Sequence, residues 1–162
     1  MARAFNATYQ GKWHEARAML APLVTAGTAT TSISNQFAWL SVATNEVDES
    51  AVQAAREVSN DFARRKVQAF SVNHTLACVY ALSGRPKEAL DVLIKAMDAA
   101  GMAVPDAATW FARGLIAEAY GDVKSATSYY QRVQANPIRD ADPVSSYNLA
   151  QRRLEKLSSS HK

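Results

Sequence analysis

Residues 73–97 have the sequence NHTLACVYALSGRPKEALDVLIKAM. In the second half of this stretch, apolar residues recur at spacings of three and four, and charged residues fill the positions between them. This is the period of an amphipathic α-helix. Pro86 suits the first turn of that helix, and Ser83-Gly84 before it marks a tight turn. The stretch therefore predicts two helices joined by a short turn.

The same helix-turn-helix pattern recurs along the chain of 162 residues. Four alanines, Ala16, Ala51, Ala89 and Ala126, each open a predicted second helix, at spacings of 35, 38 and 37 residues. Small side chains at such positions let two helices approach closely. A period of this length is typical of stacked helical hairpins.

Two adjacent repeats resemble the tetratricopeptide repeat, whose pattern is W-x₂-L-G-x₂-Y, then A-x₃-F, then P. The clearer match is Trp110-x₂-Arg113-Gly114-x₂-Ala117, then Gly121-Asp122, Ala126-x₃-Tyr130 and Asn136-Pro137. The preceding match is Asn73-x₂-Leu76-Ala77-x₂-Tyr80, Gly84, Ala89-x₃-Leu93 and Ala96. The resemblance implies an all-α fold, a right-handed α-solenoid of three to four hairpins with a concave groove lined by first helices.

The resemblance covers residues 1–157, which we expect to form a single domain. The predicted units are 1–27, 32–60, 70–101 and 106–137, followed by a C-terminal capping helix over 144–157. The two N-terminal units match the family pattern less closely, and the first has little room for its opening helix. Residues 158–162 are predicted to be a disordered tail.

The family places two residues of each first helix in the groove, and these positions are the candidate partner-binding residues. In this sequence they are Asn35, Trp39, His74, Cys78, Phe111, Leu115, Asn148 and Arg152. The best-known ligand device of the family, a clamp for two carboxylates, needs Lys at positions that here hold Asn35, His74 and Phe111. Asn148 and Arg152 are the remaining candidates for holding a single carboxylate.

Several of these residues have two interpretations that the sequence leaves open. Trp39 and Phe111 either anchor a partner in the groove or pack into the core. His74 is either a neutral hydrogen-bonding residue or a pH switch. Cys78 is either a small apolar residue or, with a lowered pKa, a reactive thiol.

The sequence predicts a non-catalytic interaction scaffold that binds a partner peptide or helix through apolar and aromatic anchors. It contains no G-x-S-x-G motif, no Cys/His/Asn arrangement and no glycine-rich phosphate loop, so we expect no enzyme and no cofactor. One Cys and three separated His exclude a Cys₄ or Cys₂His₂ zinc site, and we expect no metal. The identity of the partner is not encoded in the pattern.

Two other functions are alternatives. RNA binding is suggested by a net charge of +3 and by the basic clusters Arg64-Arg65-Lys66 and Arg152-Arg153, although acidic residues lie close to both clusters. Homodimerisation is suggested by an N-terminal edge that would be left uncovered if the first repeat were incomplete. That edge comprises Phe5, Tyr9, Trp13 and Leu20.

The N-terminus has no apolar core of the length that a signal peptide needs, and no run approaches the ~18 apolar residues of a membrane span. We therefore expect a cytoplasmic protein, or a soluble region of a larger one.

Overall fold

The computed structural model describes residues 2–67 and 69–159. Within these ranges the secondary structure is helical, without strands, which confirms the predicted all-α class. The helices are α1 (Ala2–Tyr9), α2 (Trp13–Thr25), α3 (Thr31–Thr44), α4 (Glu49–Arg64), α5 (Phe70–Leu82), α6 (Pro86–Ala99), α7 (Ala107–Ala119), α8 (Val123–Gln131) and α9 (Ser146–Ser159).

Local sequence signals determine where these helices begin and end. The side chains that cap α3, α4, α7 and α8 each accept a hydrogen bond from a backbone N–H three residues further on; they are Thr30, Asp48, Asp106 and Asp122. Gly84 and Gly121 follow α5 and α7 with φ of 76° and 78°, the left-handed conformation that commonly ends a helix. These caps produce the short turns that the sequence predicts.

Consecutive helices pack in pairs: α1 with α2, α3 with α4, α5 with α6, and α7 with α8. Each pair lies largely within one of the predicted units. The first helices also pack side by side, α3 against α5 and α5 against α7. The four alanines that define the repeat are all fully buried, as expected of small residues at close helix contacts.

The first pair of helices is more complete than the sequence indicates, and this corrects the predicted dimerisation edge. Ala4 and Ala7 of α1 pack in the same core cluster as Leu20, which is 1% exposed. Leu20 is therefore a core residue and does not belong to an uncovered edge. Phe5 and Tyr9 are the members of that edge that remain exposed, at 40% and 66%.

The C-terminal helix α9 packs against α7 and α8. It continues through Ser158 and Ser159, so these two residues of the predicted tail are helical. The rest of that tail, residues 160–162, lies outside the described residues. Between α8 and α9 runs a segment without helix, residues 132–145, which we call the covering segment.

Candidate functional site

Three of the predicted groove residues meet in an aromatic row that crosses the first helices. The Trp39 ring of α3 lies with its centroid 5.3 Å from that of His74 on α5 and 6.0 Å from that of Phe111 on α7, the latter edge-on at 74°. Trp39 is half-buried, whereas His74 and Phe111 are buried. The row is therefore a shared feature of three repeats and not of one hairpin.

His74 is buried and neutral. Its Nε2 donates a hydrogen bond to the carbonyl oxygen of Ala108 in the first turn of α7, at 3.0 Å. Burial lowers the pKa of His74 to about 4, against the smaller opposing effects of the Ala108 carbonyl and of Asp106. Cys78 lies one turn further along α5, and burial raises the pKa of its thiol. Neither side chain has the environment of a switch or a reactive thiol near neutral pH.

Three of the eight candidate residues lie in the core rather than on an open groove. Cys78, Phe111 and Leu115 are at most 1% exposed. They share one core cluster with Leu149 and Ala150 of α9, which packs onto α7 and α8. Phe111 therefore packs in the core, and its interpretation as an accessible anchor is wrong.

The two candidate residues on α9 are engaged in contacts within the chain. The side-chain amide nitrogen of Asn148 donates to the carbonyl oxygens of Asp140 and Asp142, both at 2.9 Å. The guanidinium of Arg152 lies 3.6 Å from the centroid of the Trp13 ring. These contacts occupy the groups that the sequence suggested for holding a carboxylate.

The covering segment lies against Trp39. The indole Nε1 of Trp39 donates a hydrogen bond to the carbonyl oxygen of Val144 at 3.0 Å, across 105 positions of sequence. The Val144 side chain is 4% exposed. A carboxylate oxygen of Asp142 accepts a hydrogen bond from the Val144 backbone N–H at 3.0 Å, which holds this turn in shape.

A cleft of about 900 Å³ opens beside this contact, between the N-terminal turns of the first helices and the covering segment. Asn35, Trp39 and His74 line it, so three predicted residues reach one cavity. The side-chain carbonyl oxygen of Asn35 is buried, and it has no hydrogen-bond partner among the described residues. A buried acceptor left unpaired costs free energy.

The cleft carries charges of both signs. Its charged side chains are Asp106, Asp140, Asp142 and Arg139. The N-terminus of α5, whose residues Phe70 and Ser71 also line the cleft, has no side-chain cap and presents partial positive charge. Donors and acceptors are thus available side by side, an arrangement that suits a peptide backbone better than a polyanion.

Sequence reasoning missed the residues contributed by the covering segment. Asp140 and Asp142 lie in a stretch that indicates only a break between helices, and Val144 is predicted as the first residue of the capping helix, which begins at Ser146 in the structure. A local signal was present, since Asp140-Ala141-Asp142-Pro143 is rich in turn formers. Only the three-dimensional structure places that turn on α3.

Residues of both basic clusters form ion pairs within the chain. Arg64 and Arg65 lie 3.5 and 2.9 Å from the carboxylate of Asp61. Arg153 lies 3.4 Å from Glu118, and its side chain is only 12% exposed. Arg64 and Arg65 nevertheless keep side chains that are 76% and 64% exposed, so the first cluster stays on the surface, whereas Arg153 of the second cluster is mostly buried.

No protein-family model matches the chain, and no curated protein matches its sequence. Among residues 2–67 and 69–159, no group of three or more His, Cys, Asp or Glu side chains is arranged to hold a metal ion. No helix in the same ranges is long and apolar enough to cross a membrane.

Proposed function

We propose that this protein is a non-catalytic interaction scaffold of tetratricopeptide-like hairpins, arranged as a right-handed solenoid, which binds a peptide segment of a partner protein. The binding site is the cleft beside Trp39. The proposal rests on one observation above the others: residues from α3, α5 and α7 meet at one cavity of about 900 Å³, and Asn35, Trp39 and His74 line it together.

The chemistry of the cleft favours a peptide. Trp39 already donates its indole hydrogen to the backbone carbonyl of Val144, so the same surface is suited to hydrogen bonding with the backbone of a peptide. Apolar surface from Trp39 and Phe70 adds a place for a side-chain anchor. A peptide supplies both N–H donors and carbonyl acceptors, which suits the mixed charge of the cleft.

The experiment is a selection from a phage-displayed library of dodecapeptides on the full wild-type chain, followed by binding measurements on a blocked variant that takes no part in the selection. Ser71→Tyr is a suitable block, because Ser71 is exposed on the first turn of α5 and lines the cleft. Ser128→Tyr is the matched control, with an exposed serine on α8. Affinities for the selected peptides are then measured by fluorescence polarisation.

We expect Ser71→Tyr to weaken binding at least about tenfold, or roughly 1.4 kcal/mol. Ser128→Tyr is expected to bind within about a factor of two of the wild type. Equal binding by Ser71→Tyr and wild type would contradict the proposed site. Loss of binding in Ser128→Tyr alone would place the site on the outer surface of α8 and α9 and would also contradict it.

A further inference from the structure

The contact between Trp39 and Val144 divides one inner surface into two cavities. The cleft of about 900 Å³ lies on one side, and a pocket of about 250 Å³ lies on the other, against Phe5 and Tyr9 of α1. Asn35, Trp39, Asp142 and Val144 line both cavities. Movement of Val144 away from Trp39 would therefore join the two into a continuous groove from α1 to α7.

The covering segment buries few side chains, and hydrogen bonds from Trp39 to Val144 and from Asn148 to Asp140 and Asp142 also hold it. Across residues 132–145, Val133 and Val144 are the side chains that are buried, and Ile138 is 89% exposed. Segments with few buried apolar contacts open at a lower free energy than the helices around them. The fourteen residues between α8 and α9 also exceed the turns that join the other helices, and connections of such length are uncommon in compact domains unless they serve a function.

We propose that residues 142–145 cover the surface around Trp39 and can be displaced from it. A partner peptide then binds this surface by presenting an aliphatic side chain in a turn, as Val144 does. This inference rests on the proposed function. The chemistry of the partner peptide is inferred from residues 142–145, which lie on Trp39 in the free chain. That segment presents one aliphatic side chain, one carbonyl acceptor for the indole, and a preceding Asp142 that holds the turn.

Exchange of the Trp39 indole hydrogen with solvent tests the cover without any partner, because that hydrogen is bonded to Val144. We expect it to exchange faster than the slowest backbone amides of α7. We also expect the rate to change little in low urea, since local opening exposes little surface. Exchange as slow as that of α7, with the same urea dependence, would mean that the segment opens only when the whole chain unfolds and would overturn the proposal.

Two variants connect this exchange to the segment. Val144→Ala removes two buried methyl groups, and we expect it to speed exchange of the indole hydrogen about tenfold. Ile138→Ala lies in the same segment at an exposed position and is expected to leave the rate unchanged. Equal effects of the two variants, or no effect of Val144→Ala, would contradict the assignment of Val144 as the anchor.

The dodecapeptides selected on the wild-type chain then test displacement. A peptide that must replace the cover binds more tightly when the cover is weakened, by the same factor as the population of the open form. We therefore expect Val144→Ala to raise peptide affinity about tenfold, matching its effect on exchange. Unchanged affinity would overturn displacement and leave the proposed function standing. Failure to select any peptide blocked by Ser71→Tyr would instead count against the proposed function, while the exchange results would still decide whether the cover opens.

Discussion

Gly114 allows α7 and α8 to pack closely, because a Cβ atom at this position would lie 2.2 Å from Cε1 of Tyr130. The Tyr130 ring is fully buried and its hydroxyl donates to Glu118, so the ring has no free space to move into. Alanine normally favours a helix over glycine by about 1 kcal/mol, but overpacking a core costs about 1–3 kcal/mol. We predict that Gly114→Ala lowers the free energy of unfolding, measured by urea titration.

Ser128→Ala, at an exposed position on α8, is the control for this substitution and is expected to change stability by less than about 0.5 kcal/mol. A Gly114→Ala protein as stable as the wild type would show that the two helices are packed less tightly than described.

The buried side chain of His74 makes the free energy of unfolding depend on pH. Its folded pKa of about 4 lies below the usual histidine value of 6.5, so the unfolded chain binds a proton at a higher pH than the folded chain does. The contribution is complete above about pH 6.5 and is lost progressively toward pH 4, at a slope of at most about 1.4 kcal/mol per pH unit. We predict that His74→Gln, which keeps a side-chain donor for Ala108, flattens this part of the stability profile.

The measurement is a set of urea titrations between pH 4 and pH 7.5 on both proteins, together with an NMR titration of the His74 ring. A midpoint for His74 near 6.5 would contradict the buried, neutral state and would restore the pH-switch interpretation.

At the scale of the elements, Arg153 of α9 contacts both α7 and the residue that follows α3. One guanidinium nitrogen lies 3.4 Å from Glu118 on α7, and another donates to the side chain of Asn45 after α3 at 2.7 Å. Both members of the ion pair are mostly buried, with side chains 12% and 19% exposed. Removal of one partner leaves a buried charge without compensation.

We predict that Arg153→Met lowers the free energy of unfolding by about 2–3 kcal/mol, less than the roughly 3–5 kcal/mol of a fully buried pair. Arg64→Met is the matched control, because Arg64 is 76% exposed and lies 3.5 Å from Asp61. Its effect should be below about 0.5 kcal/mol. Equal losses in the two variants, measured by urea titration, would show that Arg153 does not anchor α9.

The helices and their pairing could be predicted because the responsible signals are local. Apolar spacing, the capping residue Asp106 and the turn at Gly84 act within a few residues of one another. The contacts of α9 with distant elements could not be predicted, since the hydrogen bond between Arg153 and Asn45 joins residues separated by 108 positions. An amphipathic pattern indicates that a helix buries one face, but not which helix covers it.

At the scale of the whole molecule, the candidate site was predicted in part. The family resemblance pointed to Asn35, Trp39 and His74, and all three line the cleft. It also pointed to Phe111, which is buried. The family pattern implies an open groove at this position, whereas in this chain α9 packs against α7. The covering segment reaches Trp39 through a single hydrogen bond and one aliphatic side chain, a contact without a periodic signature in the sequence.

The central claim, that a partner peptide binds in the cleft beside Trp39, is tested most directly by site-specific photocrosslinking in nuclease-treated native lysate. A benzophenone amino acid is placed at position 71, inside the cleft, and in a separate protein at position 128 on α8. We predict crosslinks from position 71 to a defined peptide of a partner protein, identified by mass spectrometry, and none to that peptide from position 128. Crosslinks from position 128 without any from position 71, or adducts that nuclease treatment removes, would contradict the claim.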